Sequence, residues 1–568
     1  MQWGITIPMR DGVRLSAILY LPTHQSEPSP AIVTMTPYTA QTNHEVGVYF
    51  AERGLPFLAV DVRGRGNSEG TFAPFMGESQ DGYDVVEWLA REPYCDGRVA
   101  MWGGSYAGYA QWAIAKEAPP HLATIVPVAS PYFGVDFPMR NNIVSTYLLR
   151  WLTLVAGCTS QEKIFTDDRF WRRRFQHWFE SDVAFKDLDS VVGNPSSLFQ
   201  EWLAHPRQGP YWDAYNPSTK QYAGISMPIL SITGSYDGDQ PGALTHYREH
   251  VEHASAGARA QHYLVIGPWD HAGTRNPKAT IAGMPAGPAS LVDLKELHVA
   301  WYAWTLQGGP RPAFLQKRIA YYVSGAEKWR YADSLDAITR ATDAFYLESN
   351  GSSLSVFASG ILQSQPGRGD SDTYTHDPRE PPLVAAELTC DDPLCLRPTF
   401  PTDNLTDQEP VFAGEGRQLI YHSAPFAADT EIGGFFKLTA WMSIDAPDTD
   451  FSARVYCINP DGSSILLTTD TLRARYRQSL GLERLIDTLK PLRYDFEHFT
   501  FVARLLARGS RLRLTIGPIH SIHSQKNYQG GGVVVEETLR DARPVTVRLF
   551  HDAAHPSALY VPNGCSEN

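Results

Sequence analysis

The chain has 568 residues, 43% hydrophobic and 20% charged, with a formal net charge of −13. That length exceeds a single core and predicts two or three domains of an ordinary globular protein. The acidic balance, without a basic run, excludes a nucleic-acid surface, and no stretch approaches the roughly 18 apolar residues of a membrane span. Met1–Ile7 carries neither a charged leader nor an apolar run, so a cytoplasmic location is expected. The six cysteines are scattered. The close pair Cys390 and Cys395 lacks the second half of a metal site, and reduced thiols are expected there rather than a disulfide.

Along the chain, Ala31–Met35, Phe57–Val62, Val99–Trp102 and Thr124–Val128 are apolar runs of buried parallel strands, and Tyr83–Arg91 puts Val85, Val86 and Leu89 on one helical face. This alternation predicts a doubly wound α/β sheet, with residues 1–132 as its first part. Residues 133–222 carry Trp151, Trp171, Trp178, Trp202 and Trp212 and helix-length segments such as Phe170–Phe179 and Ser197–Leu203. They predict a helical insertion whose aromatics form its own core or, as for Trp151, line an apolar pocket that takes substrate. The α/β rhythm returns over 223–314, with strands at Pro228–Thr233 and Tyr263–Ile266 and helices at Ala243–Ala254 and Val292–Leu306. From 315 to 568 short alternating segments (Ile319–Val323, Phe345–Leu347, Phe436–Ile444, Arg454–Ile458, Arg511–Ile516, Val545–Leu549) predict an all-β sandwich or jelly roll. The polar, Pro-rich segment 365–382 reads as a loop or crossover.

The chemistry centres on Val99-Ala-Met-Trp-Gly-Gly-Ser-Tyr-Ala-Gly-Tyr109. A serine between small residues at the end of a buried strand suits a sharp strand-to-helix turn that exposes its Oγ. The glycine usual two positions after the serine is displaced here: Ala107 stands there and Gly108 follows. Asp237 lies just past the strand at Pro228, and His271 just past the strand at His262, so the order is Ser105, Asp237, His271. The 34 positions from Asp237 to His271 fit one helix-plus-strand unit. A serine nucleophile, a base and a carboxylate that orients the base are what acyl transfer requires. Asp239 and Asp270 are rivals for the acid, but Asp270 adjoins His271 and side chains one apart diverge. His246, His250 and His253 are expected on a solvated helix face. The Tyr106 N–H and the Tyr38 phenol are candidate oxyanion donors.

The chain resembles the cocaine esterase-like (CocE/NonD) hydrolases of the X-Pro dipeptidyl-peptidase group, which includes the α-amino acid ester hydrolases. The motifs are Met9-Arg-Asp-Gly-Val-Arg-Leu15, Thr36-Pro-Tyr38, Asp61-Val-Arg-Gly-Arg-Gly-Asn-Ser-Glu-Gly70 and Trp102-Gly-Gly-Ser-Tyr-Ala-Gly108. Further on come Gly234-Ser-Tyr-Asp237, Gly267-Pro-Trp-Asp-His271, Asp445-Ala-Pro-Asp-Thr-Asp-Phe451, Leu472-Arg-Ala-Arg-Tyr476 and His551-Asp-Ala-Ala-His-Pro556. The resemblance implies an α/β-hydrolase core, a helical cap and a C-terminal jelly roll, and a family elbow whose second glycine is Gly108. It also implies that Asp136 and Asp239 resemble part of an ammonium-binding acidic cluster, with Gln240 in place of a third acid. Met35 stands where the family's usual arginine precedes Thr-Pro-Tyr. The X-Pro dipeptidyl peptidases carry an additional N-terminal domain, and a dipeptidase role is disfavoured.

The expected function is therefore a serine hydrolase cleaving an ester or amide of a small-molecule substrate through an acyl-enzyme. It needs no cofactor or metal, and homo-oligomerisation is left open. The alternatives are a biosynthetic acyltransferase or cyclase, or an α-amino acid ester hydrolase or peptidase, using the same residues.

Overall fold

The computed structural model describes residues 1–383 and 405–564. Cys390, Cys395 and Cys565 lie outside them, and Cys95, Cys158 and Cys457 are free thiols. The first layer is a ten-stranded sheet built from β1 (Gln2–Pro8), β2 (Arg14–Tyr20), β3 (Ser29–Thr36), β4 (Phe57–Asp61), β5 (Cys95–Gly104) and β6 (Leu122–Val128), with later strands added beyond β6. After the cap, with its small hairpin β7 (Met139–Arg140) and β8 (Ile143–Val144), come β9 (Ile229–Tyr236) and β10 (His262–Asp270). A second small hairpin, β11 (Thr280–Ile281) and β12 (Met284–Pro285), precedes β13 (Ile319–Val323) and β14 (Lys328–Ala332). The order is β1-β2-β4-β3-β5-β6-β9-β10-β13-β14, parallel from β4 to β13. The chain leaves β3 towards β4 on one side and returns to β5 on the other, which opens a crevice at the strands' C-terminal ends. Ile319–Val323, expected among the jelly-roll strands, instead pairs in parallel with β10, because its five fully buried positions suit a sheet covered on both faces.

Helices α1 (His44–Ala51), α2 (Glu78–Leu89) and α3 (Tyr106–Ala115) cover the sheet. On α2 the predicted face of Val85, Val86 and Leu89 is fully buried. In α3 nine of the ten residues are buried, as befits a helix enclosed on all sides.

The cap inserts between β6 and β9. It comprises α4 (Tyr147–Leu154), α5 (Glu162–Phe165), α6 (Asp168–Glu180), α7 (Leu188–Val192), α8 (Ser197–Leu203), α9 (Pro210–Asp213) and α10 (Thr219–Gly224). Trp171, Trp178, Trp202 and Trp212 form its buried core, whereas Trp151 faces the crevice over the sheet.

Helix α11 (Gln240–His253) follows β9 and corrects one expectation. His246 and His250 are fully buried rather than solvated, because α11 is enclosed between the sheet and both ends of the cap; His253 is half-buried. The His246 Nε2–H donates to Pro131 O at 3.1 Å and its Nδ1 accepts from Tyr222 Oη at 2.6 Å. The His250 Nε2–H donates to Ile225 O at 3.1 Å, which leaves its Nδ1 to accept from His262 Nδ1–H at 3.0 Å. His262 Nε2 then accepts from Ser231 Oγ at 2.9 Å. Each ring is thereby satisfied as a neutral imidazole, and burial pushes the His246 pKa down to about 3.

Among the described residues thirteen strands form the C-terminal β domain. Ser371–His376, within the segment read as loop, is a strand paired antiparallel with Val545–Phe550. Two acid–arginine pairs of the Asp445–Phe451 and Leu472–Tyr476 motifs lie in the interior. Arg473 Nε donates to Asp450 at 2.7 Å and Arg475 Nε to Asp448 at 2.8 Å. Arg473 Nη1 also donates to Asn142 O at 3.3 Å, so the sandwich grips the cap.

Candidate active site

Ser105 stands between β5 and α3 at φ 58°, ψ −122°, a strained conformation for a non-glycine residue. Its N–H donates to Val128 O at 2.9 Å, and its carbonyl accepts from Gly108 and Tyr109 at 2.8 and 2.9 Å. The displaced glycine has a steric cause. A Cβ at Gly108 would stand 2.6 Å from Val128 O, so α3 packs on β6 at glycine distance. A Cβ at Gly103 would stand 2.5 Å from the Ala107 methyl, so Gly103 makes room for the alanine. Tyr106 is the first residue of α3, and its N–H has no acceptor within the helix.

Asp237 and His271 lie just past β9 and β10. His271 Nδ1 donates to Asp237 Oδ1 at 2.8 Å, which leaves Nε2 as the nitrogen available for proton transfer. Asp237 also accepts from Asp239 N–H at 3.1 Å and Thr233 Oγ1 at 3.0 Å. Burial opposes its charge, but the adjoining His271 ring and these hydrogen bonds outweigh it, and Asp237 titrates below the usual carboxylate range. Asp270 instead accepts Gly273 N–H at 2.6 Å, closing the turn after β10.

One cavity of about 640 Å³ brings together Ser105, Tyr106, His271, Tyr38, Asp136, Asp239 and Trp151. Asp239 Oδ2 lies 3.7 Å from His271 Nδ1, and burial together with the Asp136 and Asp237 charges pushes its pKa well up. Burial raises Asp136 to about 7, against hydrogen bonds from the Tyr132 and Gly242 N–H groups. Gln240 is not part of this group: its amide donates to Gly234 and Ser235 carbonyls at 3.1 Å and accepts Phe501 N–H at 2.7 Å, linking α11 to the sandwich. The carboxylates of Asp237 and Asp239 and the His271 ring place ligand atoms within 4.8 Å of one another, close enough for a metal. Both Asp237 oxygens, however, are already engaged by His271, Asp239 N–H and Thr233.

Phe75 and Tyr147 also line the cavity, and the sequence did not mark them. Phe75 has φ 66°, and its N–H donates to Tyr106 Oη at 3.2 Å while Tyr109 Oη donates to its carbonyl at 3.0 Å. Tyr106 Oη in turn donates to the buried Glu78, whose pKa burial raises to about 7. No local pattern announces such a residue, because tertiary contacts alone create its conformation.

Residues 11–273 match the model of the X-Pro dipeptidyl-peptidase (S15 family), and residues 315–558 that of the X-Pro dipeptidyl-peptidase C-terminal non-catalytic domain. Cocaine esterase from Rhodococcus sp. (strain MB1 Bresler) is 24% identical over 589 residues, covering 98% of each chain. Among solved structures, an aminopeptidase from a marine-sediment Thaumarchaeota archaeon is 20% identical with a TM-score of 0.84, covering 100% of this chain and 96% of its own. An α-amino acid ester hydrolase is also 20% identical with a TM-score of 0.84, covering 99% and 96%. These structures share the fold from end to end. No helix among the described residues is long and apolar enough to cross a membrane.

Proposed function

Because this chain belongs to the X-Pro dipeptidyl-peptidase (S15) family, as a CocE/NonD-like hydrolase, we propose that it is an esterase whose Ser105 attacks the acyl carbonyl of a small-molecule ester or amide. The supporting observation is that the strained Ser105 shares a cavity with His271, whose Nδ1 is held 2.8 Å from a buried Asp237. His271 Nε2 takes the Ser105 proton as Oγ bonds to the carbonyl carbon, and the oxyanion accepts from the Tyr106 N–H and the Tyr38 phenol. The imidazolium returns the proton to the leaving oxygen or nitrogen as its bond to carbon breaks. Water, deprotonated by the same histidine, then splits the acyl-enzyme and restores Ser105. No cofactor enters this scheme, and the free thiols of Cys95, Cys158 and Cys457 suit a reducing, cytoplasmic setting. Ser105→Ala is expected to lower kcat on p-nitrophenyl esters by about 10⁴–10⁶-fold; a variant that keeps most of its activity contradicts the assignment. Added amines or alcohols that appear in the product would shift the reading to acyl transfer.

A second reading is favoured by Asp136 and Asp239, two carboxylates on the wall of that cavity. They suit an acyl group bearing a free α-ammonium. Since Asp136 is raised to about 7, KM for an aminoacyl ester should improve as pH rises through that value and the carboxylate ionises. Equal turnover of free and N-acylated aminoacyl esters would remove this reading.

A further inference from the structure

The Asp61–Gly70 motif has no task in the reaction scheme above. It follows β4, beside the strand β3 whose end carries Tyr38. Asp61 Oδ1 accepts Ala40 N–H at 2.6 Å and Oδ2 accepts Asn67 N–H at 3.3 Å, while Val62 N–H donates to Thr36 O at 3.1 Å. The motif is thus folded onto the connection that holds Tyr38. Gly66 makes the fold tight enough: φ is 54°, and a Cβ there would stand 2.1 Å from Asp61 Oδ2.

Arg65 reaches further. Its side chain is fully buried, and its Nε donates to Pro37 O at 2.7 Å, one residue before Tyr38. Its Nη1 donates to Val155 O at 2.7 Å and to Gly157 O, and Gly66 N–H donates to Cys158 O at 2.7 Å. Those carbonyls follow directly on α4 of the cap, at the helix end whose dipole is negative and therefore receives a guanidinium well. Burying a cation against carbonyls carries a large desolvation cost, so such an arrangement marks a geometry that must be held. The same cap helix supplies a second fastening: Trp151 Nε1–H donates to Tyr38 Oη at 3.0 Å. A phenol oxygen that accepts from an indole keeps its own proton free to donate, and Tyr38 and Ser105 line one cavity.

We infer that Arg65 and Trp151 are positioning residues of the oxyanion hole, fastening the Tyr38 phenol between core and cap. The cap then does more than roof the substrate; it supports a donor that the core sheet carries. This inference rests on Tyr38 being the oxyanion donor of the proposed function.

The test is a double-mutant cycle on a p-nitrophenyl ester. Tyr38→Phe should lower kcat by about 10²–10³-fold. Trp151→Phe keeps the ring and removes the N–H, and should lower kcat by about 10-fold with KM within about 2-fold. In the Tyr38→Phe background, Trp151→Phe and Arg65→Lys should each change kcat by less than about 2-fold, because the group they position is gone. Rates of fluorophosphonate labelling give the same cycle where turnover is too slow, and the Trp151→Phe arm decides alone if Arg65→Lys does not fold. A costly Tyr38→Phe with additive Trp151→Phe, or a Trp151→Phe effect confined to KM, overturns the inference and leaves the proposed function standing. An unchanged kcat in Tyr38→Phe removes the oxyanion assignment and the inference together.

Discussion

The elbow and the Tyr38 loop leave adjacent strands of one sheet, yet they are secured in different ways. Ser105 is fixed by backbone bonds to β6 and its own helix, and Asp237 and His271 by each other and by Thr233 at neighbouring strand ends. Tyr38 leans on a loop from β4, on the last carbonyls of α4 and on a cap tryptophan. The groups proposed to move the proton thus belong to the sheet alone, whereas the proposed oxyanion donor belongs to the joint between sheet and cap. Sheet geometry is stiff and local; a joint responds to whatever moves the cap.

The largest effect that sharpens this contrast lies on the sheet side. Asp237→Asn should lower kcat by about 10⁴-fold, since the wrong histidine tautomer is then favoured. A loss under about ten-fold on p-nitrophenyl esters would transfer the orienting role to Asp239. Next in size is the cap core: Trp178→Ala should cost about 3–5 kcal/mol in denaturant unfolding. Its kcat should fall less than that of Asp237→Asn under conditions where the protein stays folded. Gly108→Ala is smaller, about 1–3 kcal/mol by overpacking against Val128 O, and should slow labelling of Ser105 because α3 must shift to make room.

The last effect is on acid stability, read as a slope with pH rather than as a single loss. His246 stays neutral when folded down to about pH 3, whereas an unfolded histidine protonates near its ordinary value of 6.5. The unfolded chain therefore binds more protons between those values, and stability falls steadily as pH drops from about 6.5 towards 3. His246→Gln should flatten that slope in a pH series of melting curves. An unchanged slope would show that His246 is not kept neutral by burial in the folded protein.

Much of the α/β half was legible because a buried strand and an elbow are written in local sequence. Ser105, Asp237 and His271 follow from strand ends and order, and their meeting needed no knowledge of the cap. Ile319–Val323 was placed with the wrong sheet because apolar runs do not name their partners. His246 and His250 looked polar on a helix and proved buried because the cap's two ends close over them. Trp151 was marked as an aromatic, but its indole N–H bond to Tyr38 joins residues far apart in sequence. Arg65 lay inside a recognised motif whose bonds to Val155 and Gly157 no spacing rule announces.

The most direct measurement is covalent. A fluorophosphonate incubated with the protein should add one adduct, located on the peptide carrying Ser105 by mass spectrometry and absent from Ser105→Ala. Labelling that persists in Ser105→Ala, or a folded protein that takes up no probe, would contradict the account.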